Sequence, residues 1–383
     1  MNALGQFNCL QPQRSSPGVM DVFERFIEPF WQKHGHAITL DQRKALQAIL
    51  LCRTSALGGQ CYACPECGAE HFAYHSCNHR LCPQCGTADT QQWVAKQLEK
   101  LLPVPYFMVT FTLPEQLRPI LLGSPQAIEL FFKCSSQALH DLLADPRRTG
   151  FTRNGFFGVY QSWRQDMGYH PHIHYIVPAV GLNMDAELRH LKNPQWLLPA
   201  KPLAARLRTL LTHALLDSEQ IGQPLFRELV KMDWNVSVDP AGSGENAVKY
   251  LGNYVQRSVI SDQRILAIEG DQVRILVKNR STGKYEPHTL AGVEFIRRYL
   301  LHTLPKGFHR IRYHGFLHAR GKSRLQWLQR LLDVRIRRVA SAVRQPARNY
   351  LCHRCGTAME PIRRLARAPP AQRNEHVFNR VVA

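Results

Sequence analysis

Two turns of one design, Cys64-Pro65-Glu66-Cys67-Gly68 and Cys82-Pro83-Gln84-Cys85-Gly86, restrict what the first third of this 383-residue chain can fold into. A Cys-x-x-Cys turn aims two sulfurs at one point, and the glycine behind it lets the backbone curl toward them. Two such turns match a tetrahedral thiolate zinc site, so Cys64, Cys67, Cys82 and Cys85 are the expected ligands. Local structure there is organised by an ion rather than by apolar burial alone. Cys52, Cys61 and Cys77, with His71, His75 and His79, lie close by as candidates for a second site. Cys352-His353-Arg354-Cys355-Gly356 supplies two more sulfurs, which need partners from elsewhere in the chain. Cys9 and Cys134 read as ordinary residues. Disulfides are the weaker alternative, because the start of the chain carries no signal-peptide core and Cys-x-x-Cys pairs in a large chain of that kind favour metal.

The second constraint is His170-Pro171-His172-Ile173-His174-Tyr175-Ile176-Val177. Val, Ile and Tyr favour strand, and alternate residues of a strand share a face, so His172 and His174 project together, joined by His170 if the strand starts early. That arrangement suits a divalent metal ion. The 18 His of the chain give about one His-x-His pair by chance, so His34-Gly35-His36 carries no weight, whereas three alternating histidines exceed that expectation. Lys249-Tyr250-Leu251-Gly252-Asn253-Tyr254 reads as helix, with Tyr250 and Tyr254 one turn apart and their Cβ atoms about 5–6 Å from each other. Aromatic packing is the plain reading of such a pair, and only the company of the histidines turns it toward catalysis. A phenol with a pKa near 10 is a poor nucleophile at neutral pH, and a cation that polarises a phosphate remedies this. Two imidazoles leave an ion under-coordinated, so a third ligand is sought among His170, Asp166, Gln165, Gln256 and Glu245.

Charge points to the substrate class. The formal net charge is +20, and residues 291–383 hold 20 Lys and Arg against 4 Asp and Glu, a surplus of 16 in the last quarter of the chain. A basic segment of this size is the footprint of a polyanion partner, since each neutralised phosphate releases counterions. Lys306, Arg310, Arg312, Arg320 and Lys322 are the candidate DNA-binding residues, and Tyr299, Tyr313 and Trp327 are candidates for stacking on unpaired bases. No run of apolar residues is long enough to span a membrane, so a cytoplasmic protein associated with the bacterial nucleoid is expected.

The pattern along the chain predicts an α+β protein. Apolar residues spaced by three and four predict helices over 19–35 and 40–52, flanking a cysteine-rich knuckle, and a further helix over 87–102. Strands are predicted within 104–114 and at 156–163, 172–178 and 235–238, with helices at 126–143 and 244–256. Helix, strand pair, strand and helix in that order suit a ferredoxin-like antiparallel sheet. Four regions follow: a helical zinc-binding domain at 1–103, a nuclease domain with the tyrosine helix at 104–262, a small β-hairpin at 263–290, and a basic, mostly helical region at 291–383.

Taken together, Cys52-Arg53-Thr54 with Leu57-Gly58-Gly59, the two Cys-Pro-x-Cys turns, Val109-Thr110-Phe111-Thr112-Leu113-Pro114, the histidine strand, the tyrosine helix and Leu304-Pro305-Lys306-Gly307-Phe308 resemble the rolling-circle transposases of the insertion-sequence-91 family. The resemblance runs from about residue 40 to 355 and keeps the family's order of domains; Gln60 departs from it, where the family commonly has His after the two glycines. It implies a two-tyrosine nuclease of the His-hydrophobe-His type that cuts and rejoins single-stranded DNA at element ends. His172 and His174 would hold Mg²⁺ or Mn²⁺, a tyrosine would form a 5′-phosphotyrosine, and Zn²⁺ would be structural. The chemistry would equally serve a replication initiator or a plasmid relaxase. A non-enzymatic zinc-containing DNA-binding regulator leaves the histidine strand idle, and a histidine-triad nucleotide hydrolase explains neither the cysteines nor the tyrosine pair.

Overall fold

The computed structural model describes residues 16–85, 87–255, 259–279, 281–334, 350–370 and 372–373. The chain opens with two helices, α1 (Val19–His34) and α2 (Leu40–Leu51). Thr39 starts α2: its hydroxyl accepts from the amide of Gln42, whose side chain accepts from the Thr39 amide in return. A hairpin of β1 (Gly59–Ala63) and β2 (Glu70–Tyr74) follows, with the first cysteine turn at its tip, and the second cysteine turn leads into α3 (Thr87–Leu98). This hairpin lies where the sequence suggested only a knuckle.

The middle of the chain runs β3 (Tyr106–Thr112), α4 (Arg118–Gly123), α5 (Pro125–Ala144), β4 (Gly155–Trp163) and β5 (Tyr169–Pro178). A two-stranded ribbon of β6 (Val180–Leu182) and β7 (Leu188–His190) precedes α6 (Ala200–Asp217), α7 (Gln223–Leu229), β8 (Asn235–Pro240) and α8 (Glu245–Val255). The expected hairpin at 263–290 is a three-stranded sheet of β9 (Ile265–Glu269), β10 (Gln272–Lys278) and β11 (Tyr285–Ala291), followed by α9 (Gly292–Leu300). Last come β12 (Ile311–Gly315), α10 (Lys322–Leu331) and β13 (Glu360–Leu365). The α+β architecture is the expected one.

The central sheet has the order β12-β4-β5-β3-β8, antiparallel throughout. β12 brings the basic region onto its edge, and β13 returns further still, to pair with β1 of the N-terminal hairpin. Alternation along the strands divides the sheet into two faces of different character. One face packs Phe156, Tyr160, Ile173 and Tyr175 against the apolar sides of α5 and α6. The other carries two separate apolar clusters. Phe157, Val159 and Ile176 meet Val248 and Leu251 of α8, while Trp163 joins α1, α2 and α9. Between these clusters the face turns polar, and the histidines lie there. No described helix is long and apolar enough to cross a membrane.

Candidate active site and metal centres

Register assembles the polar strip. His174 of β5 pairs with Val159 of β4 and Thr110 of β3, and His172 pairs with Gln161 of β4 and Thr112 of β3. Residues directly opposite in an antiparallel ladder share a face, so Thr110, Thr112, Gln161, His172 and His174 all face the same side. The His172 and His174 rings stand 4.8 Å apart at 85°. Both histidines are buried, 9% and 6% exposed. The Nδ1 of His172 donates to the carbonyl of His170 at 2.7 Å, and the Nδ1 of His174 meets the Thr110 hydroxyl at 2.8 Å. Such bonds fix ring orientation and leave Nε2 as the outward nitrogen. The Nε2 of His174 is buried and has no hydrogen-bond partner among the described residues. Burial, and then the neighbouring His172, push His174 down to about 3, so it is neutral at physiological pH.

Tyr250 reaches this strip from α8. Its ring meets the His174 ring edge-on at 6.1 Å and 87°, and it is 41% exposed, open to a substrate while touching the histidine. Tyr254 lies one turn further along α8, and its side chain falls outside the described residues. Helix α8 packs on α3, and a Cβ at Gly252 would come within 2.4 Å of Val94 Cγ2, so the contact requires glycine.

Of the expected third ligands, Asp166 and Glu245 are engaged by other groups, whereas His170 stays beside the pair. Asp166 is held by Arg164 at 2.9 Å and by the amide of Gly168. Glu245 faces Lys249 at 3.7 Å, the Gln165 carbonyl accepts from Arg264, and Gln256 lies outside the described residues. His170 lies in β5, its ring 5.5 Å from that of His172. Among the described residues no third His, Cys, Asp or Glu ligand atom clusters with His172 and His174. The residue that sequence reasoning passed over is Gln161. It is buried, sits opposite His172, and its Oε1 has no hydrogen-bond partner among the described residues. A β-bulge between Gln161 and Trp163 re-aims the strand there, as bulges beside functional sites do. The signal was present in the sequence: one amide in the otherwise apolar run Phe156-Phe157-Gly158-Val159-Tyr160-Gln161.

The cysteines form two centres, with a different division of ligands from the one expected. The first comprises Cys52, Cys77, Cys82 and Cys85, the second Cys64, Cys67, Cys352 and Cys355. The proposed grouping of Cys64 and Cys67 with Cys82 and Cys85 is thereby corrected. The physical reason is the hairpin: β1 and β2 span five residues each, so the tip turn stands about 17 Å from the base. Cys52 and Cys77 flank that base and meet the second turn, while the tip turn meets the C-terminal one. Cys61, in β1, belongs to neither centre, and Cys134 packs in the core. Closest sulfurs are 3.5 and 3.7 Å apart in the first centre and 3.4, 3.5 and 3.8 Å in the second. Tetrahedral zinc with Zn–S bonds of about 2.3 Å sets its sulfurs about 3.8 Å apart, so both sets fit the ion. The two tip turns are near copies: Gly68 and Gly356 have φ of 70° and 75°, and their amides donate to Cys64 and Cys352 at 3.0 and 2.8 Å. Within each set the thiols divide: Cys52, Cys77 and Cys82, in that order, hold Cys85 below its ordinary range and Thr357 lowers Cys355 to about 6, while Cys77, Cys82 and Cys67 are pushed up, the last to about 11.

Comparison with known proteins agrees with these centres. Residues 22–113 match the family model described as "Transposase zinc-binding domain", and residues 155–324 match one described as "Putative transposase". The chain is 36% identical over 324 residues to "Putative transposase y4qJ" of Sinorhizobium fredii, covering 79% of this chain and 81% of that one. It belongs to the insertion-sequence-91 family of transposases. The transposase for insertion sequence element IS801 of Pseudomonas savastanoi pv. phaseolicola is 28% identical over 285 residues, covering 70% of this chain and 68% of the other. No solved structure matches the chain significantly. A transposase acts on DNA, and the zinc-binding family and the two thiolate centres together support Zn²⁺ as a cofactor.

The basic residues of this transposase divide into two kinds. Lys306, Arg320 and Lys322 are exposed. Arg310 is 6% exposed, its guanidinium 5.5 Å from the centre of the Trp163 ring, and burial lowers it to about 10. Arg312 pairs with Glu129 and lies 4.3 Å over the Phe132 ring. Both arginines stiffen the junction of β12 with β4 and α5. Arg310 is not placed as a surface phosphate contact because it is buried just before β12, and the Arg312 guanidinium is already engaged by Glu129. Tyr299 is likewise fully buried, edge-on to Phe23 at 5.2 Å, and Tyr313 is a hydrogen-bond partner of Trp93 at 3.1 Å.

Proposed function

We propose that this transposase cuts and rejoins single-stranded DNA at element ends with Tyr250 as the nucleophile. The Tyr250 oxygen attacks the scissile phosphorus, the 3′-oxygen leaves and takes a proton, and the strand is held as a 5′-phosphotyrosine. Attack by a 3′-hydroxyl reverses the step, conserving the bond energy without ATP. The observation that carries this reading is the edge contact of Tyr250 with His174, whose Nε2 is buried and unpartnered.

His172 and His174 are the proposed holders of Mg²⁺ or Mn²⁺, with the Oε1 of Gln161 as third protein ligand. These donors suit such ions, neutral nitrogen and oxygen without thiolate. When bound, the cation would polarise the phosphate and stabilise charge on the leaving oxygen. Thr110 and the His170 carbonyl orient the two rings, and α3 holds α8 in place through Gly252. Tyr254, one turn along α8, is the proposed nucleophile for a second strand.

Labelled single-stranded DNA from the element's end, incubated with the protein and Mn²⁺, should give a covalent DNA–protein band. Tyr250→Phe should abolish the first cut, and the double change with Tyr254→Phe should leave no adduct at all. An adduct that persists in the double variant, or in chelator, would falsify the reading.

A further inference from the structure

The opposite face of the sheet holds a second set of groups that cleavage does not use. Phe156 and His314 pair across β4 and β12, and their side chains project away from the face that carries Val159 and His174. Beside them opens a cavity of about 320 Å³, lined by His140 of α5, Arg153, Asn154, His314 and Arg324 among others. Arg153 and Arg324 also line a second cavity of about 370 Å³, which extends to Arg320 and Trp327. The two form one groove along the β12–α10 edge.

Its chemistry is one-sided. Arg153, Arg320 and Arg324 are exposed, and none pairs with a carboxylate among the described residues; no acidic residue lines either cavity. The Nε2 of His314 is buried and without a hydrogen-bond partner, although the ring itself stacks on Phe156 at 4.8 Å. Burial, then Arg312, lowers His314 to about 4, so it presents a neutral imidazole edge rather than a charge. Trp327, 44% exposed, offers a ring face at the far end. Forked guanidiniums suit phosphate oxygens, a neutral imidazole suits a base edge, and an exposed indole suits an unpaired base. Duplex DNA offers its backbone but no free base to Trp327.

We propose that this groove is a second DNA site, which holds a short single-stranded stretch by two phosphates and a stacked base and runs from the α5 face of the sheet round its β12 edge to α10. The inference rests on the chain acting on DNA and is independent of the cleavage chemistry. Binding is therefore measured in the full-length chain carrying both Tyr250→Phe and Tyr254→Phe, where no cut interferes. Arg153→Gln with Arg324→Gln should weaken binding of a single-stranded oligonucleotide at least tenfold, flattening the salt dependence by about 1.4 log units per log unit for two lost contacts. Trp327→Ala should weaken it severalfold, and Lys201→Gln with Arg227→Gln, exposed cations on α6 and α7, should not. In the unsubstituted chain, an oligonucleotide carrying halogenated uracil should crosslink under irradiation to the peptide bearing Trp327, a readout that needs no variant to fold. Unchanged affinity and slope, an equal loss in the control pair, equal binding of duplex at the groove, or no crosslink there would each overturn the proposal. An adduct still formed by the double tyrosine variant would instead count against the cleavage reading and leave the crosslink to Trp327 intact.

Discussion

Gln161 and His172 stand directly opposite each other on β4 and β5, and the amide oxygen of the glutamine is buried with no hydrogen-bond partner among the described residues. An unsatisfied buried carbonyl costs stability, on the order of 1–3 kcal/mol, and is kept where something outside the fold completes it.

Gln161→Leu should therefore separate two quantities that usually fall together. Without divalent metal, urea unfolding should show stability unchanged or raised, because the orphaned oxygen is gone and the neighbours Val159 and Trp163 are apolar. Calorimetric Mn²⁺ affinity should drop about tenfold or more, the loss expected for groups at or next to a metal. Lower apo stability with intact Mn²⁺ binding would make Gln161 a structural residue only.

Gly252→Ala tests the seat of the tyrosine helix. In an exposed helix the change would stabilise by about 1 kcal/mol, but here the new methyl meets Val94 Cγ2 at 2.4 Å, and valine is stiff at χ1. Overpacking of this kind costs about 1–3 kcal/mol, so a net loss of stability and of adduct formation is expected. Val94→Ala in the same chain should restore both. A stabilised, fully active Gly252→Ala chain would show that α3 and α8 do not need this contact.

Two thiolate centres predict two zinc ions per chain by elemental analysis. Cys82→Ser should remove one and Cys352→Ser the other. Only Cys352→Ser should expose the amides of β13 to hydrogen exchange, because that turn leads into the strand paired with β1. One zinc in the unsubstituted chain would refute the partition.

Acid sensitivity should trace in part to His302. This residue is buried, with Nε2–H donating to the Met167 carbonyl at 2.9 Å and Nδ1 meeting the Ser162 hydroxyl at 3.0 Å; burial lowers it to about 4. The unfolded chain takes up this proton near its ordinary value of 6.5, the folded chain only near 4, so between those values the unfolded state binds more protons. The contribution is complete above the upper value and lost as pH falls toward the lower, about 2 kcal/mol between roughly pH 7 and 5. Chemical denaturation at both pH values should show this difference shrink in His302→Gln. An identical difference in the variant would place the acid sensitivity elsewhere.

Local pattern made the middle of the fold legible. β3, β4 and β5 are β-branched and aromatic runs, and α5 and α8 repeat apolar residues at helical spacing, so each announces itself within its own residues. The strands that escaped notice lack a β-branched or alternating pattern of their own, and two of them, β12 and β13, take partners far off in sequence. β1 and β2 are rich in Gly, Cys and His; β12 reads Ile-Arg-Tyr-His-Gly and β13 Glu-Pro-Ile-Arg-Arg-Leu. The alternation of His172 and His174 was visible, and the strand opposite them was predicted, but its register was not, so Gln161 stayed hidden. Pairing of cysteines failed for the same reason: Cys64 and Cys355 lie 291 residues apart and meet only through the return of β13.

That return has a consequence for how the molecule is made. A ribosome releases the N-terminal hairpin early, yet its outer edge and half of its tip sulfurs wait on residues 352–365. Until then β1 exposes an open strand edge and Cys64 and Cys67 remain half a coordination sphere. Chains truncated before residue 350 should therefore leave synthesis with an adhesive edge and a reactive dithiol, making completeness of translation itself a checkpoint for a well-behaved product.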